Sequence, residues 1–167
     1  SQESLSFNAQ VIAPKISGFG TYSNININDF MVRFDGSYDL ESHWRFNFNE
    51  LSFRGHDFEF ASLGGFFESK YDSSQNVRYL FFESLDIENL SKFTEHSNLS
   101  QARFVKDLID LNPRGKLDKF LYEEGQLDTK IKSSLVDFSM NAKNRIPGIK
   151  DLDAVINLNL NDKVFNL

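Results

Sequence analysis

Three histidines, His43, His56 and His96, are the side chains best suited to general-base or metal chemistry, and their spacing supports neither. They stand singly, with no His-Glu-x-x-His or His-x-His pair, so each reads as a surface or hydrogen-bonded histidine. Carboxylates come close together at Glu123-Glu124 and at Asp151 with Asp153. A glycosidase-type dyad needs two carboxyls opposed across a cleft in different environments, and adjacent sequence positions give no such arrangement. Gly18-Phe19-Gly20 lacks the helix start and third glycine of a dinucleotide loop and reads as a strand connector; no Walker-type phosphate loop is present. Asn89-Leu90-Ser91 and Asn98-Leu99-Ser100 match the glycosylation pattern, which is short enough to arise by chance. The chain has no cysteine, which removes disulfides, thiol nucleophiles and Cys-based zinc sites. These residues predict neither an enzyme nor a cofactor.

The elements that carry them are predominantly strands. Of 167 residues 40% are hydrophobic and 25% charged, the balance of one globular domain rather than of a disordered or membrane-embedded chain. The net charge is −6, the wrong sign for nucleic acid, and Lys116, Lys119, Lys130 and Lys132 alternate with acids as a solvated face. No run approaches the about 20 apolar residues that span a bilayer. The chain opens on alternating residues from Leu5 and stops on apolar ones at Leu167, as an internal piece of a longer protein would.

Period-two alternation recurs at Ile25 and Ile27, Phe30 to Phe34, Trp44 to Phe48, Phe58 and Phe60, Val77 to Phe81, Val136 to Met140 and Ala154 to Leu160. Asp35-Gly36, Gly64-Gly65, Glu124-Gly125 and Asn161-Asp162 are the expected hairpin turns, with Asp35-Gly36 the strongest signal. Helical spacing appears from Asn98 to Asp110, ended by Pro113 and Gly115, and a shorter helical turn is expected around Ile87 to Phe93. The expected fold is mainly β (α+β): a large twisted antiparallel meander forming an open groove, with one or two short helices packed at it. It is a single unit over 1–167, with strand blocks at 4–87 and 114–167 and a helical segment at 88–110, and no convincing internal repeat.

There are 18 phenylalanines, 12 of them between Phe30 and Phe93. A one-faced sheet with this aromatic content sends several bulky side chains per strand to one side, more than one helix need cover. That surface is either ordinary core packed against Val105, Leu108 and Ile109, a lined groove for an apolar ligand, or a protein interface.

Two runs carry a family resemblance. Leu111-Asn112-Pro113-Arg114-Gly115-Lys116-Leu117-Asp118-Lys119-Phe120 follows the helical segment, and Ile146-Pro147-Gly148-Ile149-Lys150-Asp151-Leu152-Asp153-Ala154 comes about thirty residues later. With the Trp-led strand Trp44 to Leu51 and the segment Phe82 to Phe93, this order resembles the central region of the YhdP-type AsmA-like envelope proteins, a group of bridge-like lipid transfer proteins. The chain departs from that pattern at Ala154, where the family often has glycine, and in its Phe and Asn content. The resemblance implies a slice of a long, inner-membrane-anchored periplasmic protein whose β-groove guides phospholipid between inner and outer membranes and supports outer-membrane integrity. It implies phospholipid acyl chains, neighbouring segments of the same parent chain and other envelope proteins as partners. The groove lining expected on this reading is Trp44, Phe46, Phe48, Phe58, Phe60, Tyr79, Phe81, Ile156, Leu158 and Leu160. The alternative is a structural or protein-interaction β-domain of the envelope with a closed core and no ligand.

Overall fold

The computed structural model describes residues 4–17, 26–39, 43–72, 75–96, 106–107, 109–126, 128–161 and 164–165. Eight long strands follow one another: β1 (Ser4–Ser17), β2 (Asn26–Asp39), β3 (His43–Arg54), β4 (Glu59–Asp72), β5 (Gln75–Asp86), β6 (Arg114–Glu124), β7 (Thr129–Met140) and β8 (Ile149–Asn161). A two-residue strand, β9 (Val164–Phe165), pairs with the end of β8. Every neighbour is antiparallel and the spatial order is the sequence order, so β1 and β9 are the two edges of an open, mainly β sheet.

Strict alternation does not hold along these strands, and the exceptions share a form. Asp29, Ser62, Lys119, Asp137 and Asp151 have φ between 50° and 55°, the left-handed region that L-residues seldom enter. Each lies at a shift of register, and each is followed directly by Phe or Leu. A residue inserted in this way is a β-bulge, which bends the strand and resets which face the next side chain joins. Apolar residues three apart therefore share a face: Ile27 with Phe30, Phe60 with Leu63 and Leu117 with Phe120 all belong to one cluster. Phe82 and Leu85 of β5 have the same spacing and join the same cluster. The recurring apolar-x-polar-apolar step is an internal regularity that alternation alone hides.

Helix α1 (Ile87–Glu95) supplies the cover for that cluster. Asp86 caps it, its carboxylate accepting from the Asn89 amide at 2.8 Å. Glu88 and Lys92 pair one turn apart at 2.7 Å. The Asn89 side chain also accepts from the Glu59 amide at 3.0 Å, tying the helix to the start of β4. Leu90 and Phe93 pack down on Ile27, Phe58, Phe60, Leu63 and Leu85, and the Phe93 ring meets that of Phe58 edge-on at 5.4 Å. The short helical turn expected at Ile87 to Phe93 is this helix. Of the longer one expected at Asn98 to Asp110, Lys106, Asp107 and Ile109 are helical in backbone, and residues 97–105 and 108 lie outside the described residues.

Two expected turns are strand interior. Asp35-Gly36 lies inside β2, both residues paired on both sides, and Gly64-Gly65 lies inside β4, where Gly65 is paired on both sides. These glycines serve close approach instead: a Cβ on Gly36 would sit 2.2 Å from the tip of the Phe7 ring, and one on Gly65 would sit 2.0 Å from the Phe81 carbonyl oxygen and 2.6 Å from the Phe48 ring. Glu124-Gly125 does open a turn, between β6 and β7, closed by a 2.8 Å bond from the Gly125 amide to the Asp128 carbonyl. β8 ends at Asn161, while 162–163 and the Gly18-Phe19-Gly20 connector lie outside the described residues. Among the described residues no helix is long and apolar enough to cross a membrane.

The bulge geometry makes a direct prediction at Ser62, whose exposed side chain leaves no packing to lose. Ser62→Val should lower the unfolding free energy, because a β-branched side chain tolerates positive φ less well than serine, while Ser62→Gly, which removes the roughly 1–2 kcal/mol cost of a left-handed L-residue, should match or exceed the parent. Urea or guanidinium titration of the three proteins measures the order.

Candidate functional site

One face of the sheet carries an apolar row that crosses all eight long strands. Phe7, Gly36, Phe46, Phe67, Leu80, Tyr122, Ile131 and Leu158 are directly opposite one another from each strand to the next. Directly paired residues point to the same face, so these side chains form one track. A second row, Ala9, Phe34, Phe48, Gly65, Phe82 and Phe120, runs beside it.

Ring contacts knit the two rows together. Phe46 lies 5.3 Å from Phe7, 6.2 Å from Phe34 and 5.1 Å from Trp44, and Trp44 lies 4.8 Å from Phe67. Phe82 joins Phe48 at 5.4 Å to Phe120 at 6.4 Å. Such tilted and edge-on pairs add about 0.5–1.5 kcal/mol each beyond the area they bury. Phe7 and Phe48 also lie over the glycines opposite them, Gly36 and Gly65. Yet the rings from Phe34 to Phe120 remain only half-buried, and Phe7 is 36% exposed. Among the described residues α1 is the one helix placed on this face, and its contacts are with the farther cluster at Phe53, Phe58 and Phe60.

The opposite face is built differently. Glu68 is its centre, with a side chain only 5% exposed and two cations and a histidine around it: Lys70 Nζ at 2.7 Å, Arg45 Nη1 at 3.3 Å and His43 Nε2 at 2.8 Å. Burial pushes the Glu68 carboxyl up, but the hydrogen bonds from Lys70 and His43 and the charges of Lys70 and Arg45 outweigh it and hold the group below its ordinary range. Arg45 lies flat over the Phe66 ring at 3.9 Å, and Phe66 stacks on Phe81 at 5.1 Å. Asn47 and Asn49 donate to the two oxygens of Asp35 at 3.0 and 2.7 Å, and these bonds lower its pKa. Polar groups here satisfy one another across three strands.

The expected lining residues divide between these surfaces. Phe46 and Phe48 stand on the aromatic rows, and Trp44, paired with Ser69, stands beside them on the same face. Phe58 and Phe60 are on the same side but buried under α1 as core. Leu158 belongs to the first row, and Ile156, two residues before it, lies opposite Ser133. Leu160 pairs by backbone with Thr129, and its side chain is outside the described residues. Tyr79 and Phe81 are a correction: Leu80 and Phe82 take the aromatic face, so Tyr79 and Phe81 point to the other, against Lys70 and Phe66. Both faces of β5 are bulky and apolar, so alternation offers no choice there. The rows also include Phe7, Phe34, Phe67, Tyr122 and Ile131, which only the inter-strand register collects.

The candidate catalytic residues are dispersed. Glu123 and Glu124 point to opposite faces, Glu123 pairing with Lys130 at 3.1 Å and Glu124 with Arg78 at 3.5 Å. Asp153 accepts from the Asp137 amide at 2.9 Å. His43 and His96 are each bound to a carboxylate at 2.8 Å, Glu68 and Asp57 respectively. Among the described residues no three His, Asp or Glu converge to hold a metal ion. No protein-family model, curated protein or solved structure matches the chain.

The Glu68 cluster predicts a pH dependence. A carboxyl whose folded pKa is depressed contributes stability that is fully present above its unfolded pKa and is lost as pH falls through the folded one. Glu68→Gln should therefore cost about 1–3 kcal/mol near neutrality and unfold less steeply on acidification than the parent. Denaturant titrations repeated from pH 7 down to pH 3 compare the two slopes.

Proposed function

We propose that this chain is a segment of a periplasmic hydrophobic β-groove that guides phospholipid between membranes, a slice of a YhdP-type AsmA-like protein. The observation that carries the reading is the apolar row through eight consecutive strands, which no helix covers among the described residues. Its seven inter-strand steps of about 4.8 Å give a track of roughly 34 Å, longer than an extended fatty-acyl chain needs. The open sheet edges are consistent with a track that continues into neighbouring segments of the parent chain.

In this reading no bond is made or broken. Acyl chains leave water along the rows, each sheltered methylene contributing about 0.8 kcal/mol, while head groups stay hydrated at the margin. Along the track one apolar contact replaces another, so the chain is held without a deep minimum and slides. Glycine at 36 and 65 lets the Phe7 and Phe48 rings lie close over the sheet as part of the floor. The polar network around Glu68 keeps the reverse face in water.

Phe46 separates this reading from a closed-core interaction domain, because it is half-buried on the track and lies outside the cluster under α1. Phe46→Asp should remove co-purifying phospholipid, measured by mass spectrometry, and lower the melting temperature through its lost ring contacts while leaving a cooperative unfolding transition. Phe60→Asp, at a position 4% exposed, should unfold the domain. A parent protein that emerges free of lipid, or a Phe46→Asp protein that keeps it, ends the groove reading in favour of a structural or protein-interaction domain.

A further inference from the structure

The apolar track has an asymmetric margin. Toward one end of the strands the face passes from the rows to the cluster under α1. Toward the other end, two residues or about 6.8 Å beyond Phe67, Leu80 and Tyr122, the same face carries Ser69, Arg78 and Glu124, in register across β4, β5 and β6. Thr129 of β7 continues this polar row. Ser69 is buried and its hydroxyl donates to Asn76 Oδ1 at 2.8 Å. Beside it a recess of about 200 Å³ is lined by Asn76, Arg78, Glu124, Gly125 and Gln126.

We infer that this margin seats the head group of a zwitterionic, amine-bearing phospholipid, with its phosphate on Arg78 and its ammonium on Glu124. The inference rests on the groove reading above and adds to it the class of lipid and its orientation, tails on the rows and head over the polar row. Arg78 Nη1 and Glu124 Oε2 are 3.5 Å apart with both side chains about half exposed, so exchanging each other for the two charges of a head group costs little. The phosphate gains a guanidinium fork, and the ammonium gains a carboxylate and the Asn76 and Gln126 amides lining the recess. An anionic head group without an amine satisfies Arg78 alone and sets its negative charge against Glu124, in a chain that already carries −6.

The test incubates the chain, Arg78→Gln, Glu124→Gln and Phe46→Asp with vesicles holding equal phosphatidylethanolamine and phosphatidylglycerol, re-isolates each protein and quantifies bound lipid by mass spectrometry. The parent should favour phosphatidylethanolamine by about fivefold, the ratio equivalent to one exposed ion pair. Glu124→Gln should bring the two lipids near parity, Arg78→Gln should reduce uptake of both, and Phe46→Asp should abolish uptake of both equally. A parent that takes up the two lipids equally, or a preference unchanged in Glu124→Gln, overturns the head-group assignment and leaves the groove standing. A parent that takes up neither lipid overturns the groove reading and this inference with it.

Discussion

Successive side chains on a strand point to opposite faces, so two apolar residues three apart can share a face only where the backbone between them departs from regular extension. This sheet relies on that departure. Asp29, Ser62 and Lys119 each take a left-handed conformation, and by doing so deliver Phe30, Leu63 and Phe120 to the cluster that already holds Ile27, Phe60 and Leu117. The cluster is what α1 sits on. Had the strands stayed regular, every second member would have faced water and the helix would have had no seat.

The same device sets what is left uncovered. A nine-residue helix covers the strand region around the bulges and reaches no farther. The regular stretches beyond it, where β2 to β5 pair without a bulge between Phe46 and Leu80, present whole rows of rings in register. Ring-to-ring packing then makes the rows a rigid surface. The outer face handles its own aromatics differently: Phe66 and Phe81 stack, and Arg45 lies over them while reaching Glu68, so a buried carboxylate and a stacked cation hide what would otherwise be a second apolar patch. The two faces of the sheet are thus chemically distinct even though both contain phenylalanine, and the proposed function uses that difference.

Much of the strand plan was legible in the sequence, and the failures have specific causes. Alternation located β2, β3, β5, β7 and β8, and the short helical turn expected at Ile87 to Phe93 located α1, whose Asp86 cap only the structure identifies. Gly36 and Gly65 were misread as turn residues because glycine has two uses: it accepts positive φ, and it lets another group come close. The partners that reveal the second use, the rings of Phe7 and Phe48, are 29 and 17 residues away in the chain. Tyr79 and Phe81 were assigned to the aromatic face because β5 is apolar on both sides, and no local pattern breaks that tie. Glu68 gave no signal at all, since its three basic partners come from a neighbouring strand and from two residues along its own.

By itself the sequence determined that this chain is a strand meander rich in phenylalanine and interrupted by helix. Those properties follow from side-chain type and short-range spacing, which the backbone reads over a few residues. Tertiary structure decided the rest: which face each ring joins, which glycines lie beneath rings, and that eight separate residues from Phe7 to Leu158 form one row. Register between strands is a long-range property, and a single left-handed residue shifts it by one, so the composition of a face exists only once all the strands are paired.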